Sequence, residues 1–238
     1  MAKTLITGAA SGIGLALAER LKRDGHELVL VDLRAGDPAL GGWHLSDVTD
    51  EAFWDGVAPA LAGLTHAAVN AGVAGAGAIP ELDLAEWRRV VGINLDGAFL
   101  TLRAAMRAIG GEGAIVLTAS MAGMKAEPGV AAYGASKAGV IQLMRVAAKE
   151  GAPRGLRVNA IAPGGVDTPI WDEMPFFKEM VGSEGSREAA MTAMARMATP
   201  LGRYASADEI AGQIAFLLSD AAASVTGAVL GVDGGYSL

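Results

Sequence analysis

The chain has 238 residues, 52% of them hydrophobic and 19% charged, which suits one large α/β domain and argues against disorder. Its formal net charge of −7 would repel a polyanion, so nucleic acid is not an expected partner. There is no cysteine for a disulfide or thiolate centre, and His26, His44 and His66 stand in no ligand spacing, so no metal is expected. The first residues lack the basic, apolar and small-residue order of a signal peptide. The apolar stretch at 64–80 is broken by Thr65, His66, Asn70 and several glycines. A cytoplasmic protein without a membrane span is the expectation.

The first β-prone run, Lys3–Thr7, leads into Thr7-Gly8-Ala-Ala-Ser11-Gly12-Ile13-Gly14. Ile13, Leu17 and Leu21 then recur at helical spacing up to Gly25, a C-terminal stop. Glycines at such a turn let backbone N–H groups approach a pyrophosphate, while the helix N-terminus faces its charge. Gly8, Ser11, Gly12, Ile13 and Gly14 are therefore candidate cofactor contacts. The near-continuous apolar run 27–32 suits a strand covered on both faces, and it ends at Asp32. A carboxylate there accepts hydrogen bonds from an adenosine ribose and repels a 2′-phosphate, which predicts NAD in preference to NADP. Arg34 is the counter-signal, since arginine pairs with phosphate.

Further strands are predicted at 43–45, 66–70, 114–119, 156–161 and 229–232. Helices are predicted at 51–61, within 84–109, at 130–150 and at 207–218. This alternation predicts a doubly wound α/β fold: a parallel sheet with helices on both faces, as a single domain over 1–238. Asp47-Val48 and Asn70-Ala71-Gly72 follow the third and fourth strands, where a ligand along the sheet's carboxyl edge would pass. Residues 166–201 break the alternation and read as a lid insertion.

Ser120 ends the fifth strand, and Tyr133 and Lys137 stand four apart on the helix that follows. Positions i and i+4 share a helix face, which brings an ammonium close to a phenol. Tyrosine, with an ordinary pKa near 10, needs a drop of roughly two to three units to act as a base near neutrality. A nearby cation in a poorly solvated site favours the phenolate and supplies that drop. Ser120 is placed to donate to a substrate oxygen where charge develops.

Taken in order, Thr7-Gly-x-x-x-Gly12-x-Gly14, Asp47, Asn70-Ala-Gly72, Ile93-Asn94-Leu-Asp-Gly97, Ser120, Tyr133-x-x-x-Lys137, Pro163-Gly164 and Val232-Asp-Gly-Gly235 make a pattern. With it the chain resembles the classical short-chain dehydrogenases/reductases over essentially its full length. The resemblance implies a seven-stranded Rossmann sheet, an NAD(P) cofactor and a tetrad of Asn94, Ser120, Tyr133 and Lys137. It implies Tyr133 as general acid/base and Lys137 as the group that lowers its pKa and binds the nicotinamide ribose. Ser120 would orient the substrate oxygen, and Asn94 would hold a relay water near Lys137. Pro163, Gly164, Val166 and Thr168 would meet the nicotinamide end. A homotetramer or homodimer is also implied, through the C-terminus and through the two long helices after the fourth and fifth strands, whose alanine-rich faces bear Ala104, Ala105, Ala131, Ala132, Ala147 and Ala148.

The lid segment holds Ile170, Trp171, Met174, Phe176, Phe177, Met180, Met191, Met194 and Met197, which suit either an apolar pocket or a small core of the lid's own. Met121 and Met124 are further candidates to face the site. Lys125, Lys178, Arg187 and Arg203 are the cations that could meet a substrate carboxylate. A neutral, fairly hydrophobic secondary alcohol or ketone is the expected substrate. The competing readings are an NADPH-dependent 3-oxoacyl thioester reductase and a non-catalytic NAD-binding regulator.

Overall fold

The apolar runs become strands whose successive residues serve opposite faces of one sheet. The computed structural model describes residues 1–172 and 174–238. In chain order the larger elements are β1 (Lys3–Thr7), α1 (Gly12–Arg23), β2 (Glu27–Asp32), β3 (Gly42–Leu45), α2 (Glu51–Gly56) and β4 (His66–Val69). Then come α3 (Leu84–Val91), α4 (Gly97–Ala108), β5 (Gly113–Thr118), α5 (Ala131–Gly151) and β6 (Leu156–Pro163). The chain closes with β7 (Val166–Asp167), α6 (Pro175–Glu184), α7 (Arg187–Ala198), β8 (Ala205–Ser206), α8 (Ala207–Leu218) and β9 (Val229–Val232).

Among the described residues the main sheet has seven strands in the order β3-β2-β1-β4-β5-β6-β9, every neighbouring pair parallel. This is the doubly wound Rossmann arrangement. The strand order reverses between β1 and β4, the crevice at which such sheets take ligands. Side chains alternate between two cores. Leu5, Val29, Val31, Ile115 and Leu117 join α4 and α5 on one face. Ile6, Leu28, Leu30, Val116 and Ile161 join α1 and α8 on the other. Burial on both faces explains why these strands read as continuous rather than alternating apolar runs.

The predicted helix within 84–109 is two helices, α3 and α4, joined by one π-helical turn at Gly92–Asp96. Gly92, Asn94, Asp96 and Gly97 form helices poorly, and a Cβ at Gly97 would stand 2.6 Å from Val48 Cγ2. The chain widens there and buries Asn94. The predicted helix at 51–61 is also divided, with a 3-10 turn at Ala58–Leu61 after Gly56. The segment 166–201 carries β7, α6 and α7, with Phe177, Ala190, Met191 and Met194 forming a separate small core. No helix among the described residues is long and apolar enough to cross a membrane.

Candidate active site

Every sequence-predicted site residue lies at the carboxyl edge of the sheet or just beyond it. At the first junction Gly8 and Gly12 take left-handed conformations, with φ of 68° and 54°. A Cβ at Gly14 would stand 2.0 Å from the Gly8 carbonyl oxygen, so α1 starts directly on the turn. Ser11 occupies the N-cap without a side-chain capping bond. The first-turn N–H groups, Ile13 among them, thus keep their donors for an external anion. Asp32 spans this turn and the end of β2: Oδ2 accepts from Ala10 N at 2.9 Å and Oδ1 from Arg34 N at 3.2 Å. Uncapped amides, tight glycines and an acid at the next strand end are the donor set that a dinucleotide fits.

Asp47 Oδ1 accepts from the backbone N and the hydroxyl of Thr49, at 2.9 and 2.8 Å. Val48 is buried, and its carbonyl accepts from the Trp54 indole. The Asn70-Ala71 backbone is fastened to β1, because both N–H groups donate to Thr7 Oγ1, at 3.0 and 3.1 Å. Asn70 Nδ2 donates to Thr7 O, and its Oδ1 accepts from the Thr118 hydroxyl at 3.0 Å. A Cβ at Gly72 would stand 3.1 Å from Asn94 Oδ1 and 3.4 Å from Lys137 Nζ, so the backbone there lies close against both groups.

Asn94, Ser120, Tyr133 and Lys137 converge beside Gly72. Lys137 is 4% exposed and donates to the Thr118 carbonyl at 2.8 Å. Its ammonium lies 5.8 Å from the Tyr133 ring centroid. Ser120 caps the 3-10 turn at Met121–Gly123, with Ala122 N donating to its Oγ. Asn94 Oδ1 accepts from Val73 N at 2.8 Å, while Nδ2 donates to Val73 O and Ser136 Oγ. Both amide hydrogens are thereby spent, which leaves the second Oδ1 lone pair for any water beside Lys137.

The electrostatics depart from the expectation in one respect. Burial pushes the Tyr133 phenol above its ordinary value, and the nearby Ser120 hydroxyl pulls it down by less. Burial also brings Lys137 down, to about 8. Desolvation is the largest cause for both groups, and it favours the neutral form of each.

Beyond β6, Gly164 N donates to Val232 O, Val166 is buried, and Thr168 sits against the glycine turn. A Cβ at Gly12 would stand 3.4 Å from Thr168 Cγ2. Pro163, at the end of β6, pairs with Val232. Of the residues in 166–201, Phe177, Met191 and Met194 face the segment's own core rather than an open wall. Trp171 stacks on Tyr204 at 6.0 Å and donates to Val166 O. Met121 is buried in the main core and Met124 is exposed. Arg187 is held by Asp167, Asp172 and the Thr168 carbonyl; Arg203 pairs with Glu209, and Lys125 with Glu127.

Sequence reasoning gave no site role to Thr7, Thr118, Ser136, Gly123 or Gly134, although Thr7 opens the glycine motif. Gly134 carried a signal: glycine inside a helix costs about 1 kcal/mol against alanine and implies a packing reason. A Cβ at Gly134 would meet Ala122 O at 2.9 Å, and one at Gly123 would meet the Lys137 carbonyl carbon at 2.7 Å. These two glycines let the Ser120 turn lie directly on the helix that carries Tyr133 and Lys137.

A family model described as enoyl-(acyl carrier protein) reductase matches residues 8–237. The chain is 41% identical to a cis-4-hydroxycyclohexanecarboxylate dehydrogenase of Sinomonas cyclohexanicum, covering 98% of this chain and 95% of that protein. It is 36% identical to a cyclohexanol dehydrogenase of Acinetobacter sp. (strain SE19), covering 98% and 94%. Among solved structures it is similar to a carveol dehydrogenase from Mycobacterium avium in complex with NAD, with a TM-score of 0.89. That pair is 28% identical, and the alignment covers 99% of this chain and 97% of the other.

Two outcomes follow from the packing. Below pH 8 the native state carries the buried ammonium of Lys137 at a cost that shrinks between pH 8 and 10.5 and vanishes above. That cost is about 3 kcal/mol at 1.36 kcal/mol per unit, part of it offset by the bond to Thr118. Lys137→Met will therefore raise the melting temperature at pH 7 by about 5 °C, with the gain fading toward pH 10 in thermal melts. Gly123→Ala will destabilise the fold by about 1–3 kcal/mol in urea titrations, because its Cβ has backbone on which to collide.

Proposed function

The chain belongs to the short-chain dehydrogenase/reductase family, and on that premise we propose that it is an NAD-dependent dehydrogenase interconverting a secondary alcohol and its ketone. The observation that carries this reading is the convergence of Ser120, Tyr133 and Lys137 near a dinucleotide-type turn that is met by an acid at the end of the next strand. Gly8, Ser11, Gly12, Ile13 and Gly14 would hold the pyrophosphate, and Asp32 the adenosine ribose. Asp47, Val48, Asn70, Ala71 and Gly72 would line the path of the cofactor, with Pro163, Gly164, Val166 and Thr168 at its nicotinamide end. Bound nicotinamide supplies the hydride acceptor or donor.

The chain's own work is placement and proton transfer. Ser120 Oγ orients the substrate oxygen. Tyr133 Oη takes the hydroxyl proton during oxidation and returns it during reduction. Lys137 holds the nicotinamide ribose and, while charged, favours the phenolate. Asn94, anchored through Val73 and Ser136, supports a water that passes the proton outward. The segment 166–201 is the substrate lid.

A neutral, fairly hydrophobic alcohol suits the pairing of Lys125, Arg187 and Arg203 with carboxylates of the chain itself. The names of the cyclohexanol and carveol dehydrogenases support the same class. Assembly as a homo-oligomer in the cytoplasm completes the proposal; Ala104, Ala105, Ala132, Ala147 and Ala148 are buried within the protomer and so cannot form the contact, which passes to exposed Phe99 on α4 and Val146 on α5. The alternatives are a thioester reductase using NADPH and a regulator that binds NAD without turnover. An absorbance screen of cyclic and acyclic alcohols, hydroxycarboxylates and 3-oxoacyl thioesters with both cofactors separates all three. Turnover of thioesters alone with NADPH, or no turnover at all, would sink the proposal.

Tyr133→Phe will lower kcat by about 10²-fold or more while NAD affinity, followed by fluorescence titration, changes little. Since burial raises the Tyr133 pKa, less phenolate is present at neutral pH. Alcohol oxidation by the unaltered enzyme will accelerate from pH 7 to 9, whereas ketone reduction, which needs the protonated phenol, will not. Asp32→Ala will cut the NAD to NADP ratio of kcat/KM by about tenfold, the scale of one charged hydrogen bond.

A further inference from the structure

Ser120 and Tyr133 are the two ends of one loop. It leaves β5, makes the 3-10 turn Met121–Gly123 and enters α5 at Ala131. The separation of the Ser120 hydroxyl from the Tyr133 phenol therefore depends on how residues 121–130 are held. On one side the loop is fastened to the segment after β4: Gly77 N donates to Gly129 O at 2.8 Å, and Gly77 and Val130 form an isolated parallel bridge.

The other side is held by the end of the chain. Lys125 Nζ donates to the Tyr236 carbonyl at 3.1 Å and lies 4.1 Å from the centroid of the Tyr236 ring. The Tyr236 hydroxyl donates to Glu127 Oε1 at 2.6 Å, and Glu127 pairs with Lys125 at 3.4 Å. The loop thus grips Tyr236 at its carbonyl, its face and its hydroxyl.

The tail is itself built in. Asp233 accepts from Gly235 N at 3.0 Å and Ser237 N at 2.9 Å, and its carbonyl accepts from Tyr236 N. Gly164 has no room for a Cβ, which would stand 2.9 Å from Asp233 Cα. Leu201 N, at the exit of the lid, donates to Gly234 O. The tail therefore touches the turn after β6, the lid exit and the Ser120–Tyr133 loop together.

We propose that Tyr236 is a positioning residue that, through Glu127 and Lys125, sets the Ser120–Tyr133 geometry and ties it to the lid exit. This rests on the dehydrogenase reading given above. A tail that merely stabilises the domain would change melting temperature and every kinetic constant together. A positioning Tyr236 changes the chemistry of the alcohol and leaves NAD affinity close to that of the parent, because its side chain and carbonyl meet Lys125 and Glu127, neither of which is assigned to the cofactor, while the Asp233 contact with Gly164 is kept in every variant.

The test compares Tyr236→Phe, Tyr236→Ala, Glu127→Ala and Glu127→Gln in the full-length protein. Steady-state kinetics use the best alcohol of the screen, and amide hydrogen exchange follows peptides covering 121–130. Tyr236→Ala is expected to lower kcat for the alcohol about tenfold, with KM for NAD within about twofold of the parent. Tyr236→Phe and Glu127→Ala, which each remove the 2.6 Å bond, fall between. Glu127→Gln, which keeps an acceptor oxygen, restores most of the rate. Exchange at 121–130 quickens in the same order, while exchange in β1 and α1 is unchanged. Parent-like exchange at 121–130 in Tyr236→Ala overturns the proposal, as does an equal fall in every kinetic constant. Should Tyr236→Ala fail to fold, Tyr236→Phe and Glu127→Ala decide the question by the same readouts. If the parent turns over no alcohol, the dehydrogenase reading falls, and the exchange pattern still decides whether Tyr236 holds the loop.

Discussion

A single line of hydrogen bonds joins the nucleotide end of the site to its chemical end. Thr7, last residue of β1, accepts through its hydroxyl from Asn70 N and Ala71 N and through its carbonyl from Asn70 Nδ2. Asn70 Oδ1 accepts from the Thr118 hydroxyl, and the Thr118 carbonyl accepts from Lys137. Four side chains from four elements thereby lock the ends of β1, β4 and β5 into register with α5. The line crosses the point at which the strand order reverses, where the sheet by itself would leave a crevice. Each buried polar group in it has a partner, and so the crevice is rigid rather than merely open.

That rigidity is bought with electrostatic strain. Lys137 is held as a nearly buried cation with a backbone carbonyl as its hydrogen-bond partner, and Tyr133 is pushed toward its neutral form by the same desolvation. A site built for stability alone would replace the lysine with an apolar side chain. Retaining it is the pattern expected where a charge is needed at one moment of a reaction and is costly at every other.

Local chemistry was legible in the sequence wherever it was carried by short spacing or by apolar runs. The strands, the Gly8–Gly14 turn and the Tyr133–Lys137 pair belong to that class, as does the doubly wound sheet. The hydrogen-bond line was not legible. Thr7 meets Asn70 across 63 residues, and Thr118 meets Asn70 across 48, in contacts that leave no periodic trace. The π turn that buries Asn94 was hidden because its sequence also fits a continuous helix. In the lid, methionines that line a pocket and methionines that fill a private core have the same composition. Only the fold separates Met191 and Met194, which are buried, from Met197, which is exposed. The grip of residues 125–127 on Tyr236 is likewise invisible until β9 has brought the tail back beside the loop that precedes α5.

The private core of segment 166–201 has a consequence for how such a protein changes over generations. Phe177, Ala190, Met191 and Met194 bury one another without recruiting residues of either main core. Substitutions there need not be compensated within the sheet, so segment 166–201 behaves as an exchangeable cassette on the rest of the fold. Mutational drift in α6 and α7 can then remodel the proposed substrate lid while Ser120, Tyr133 and Lys137 stay in place.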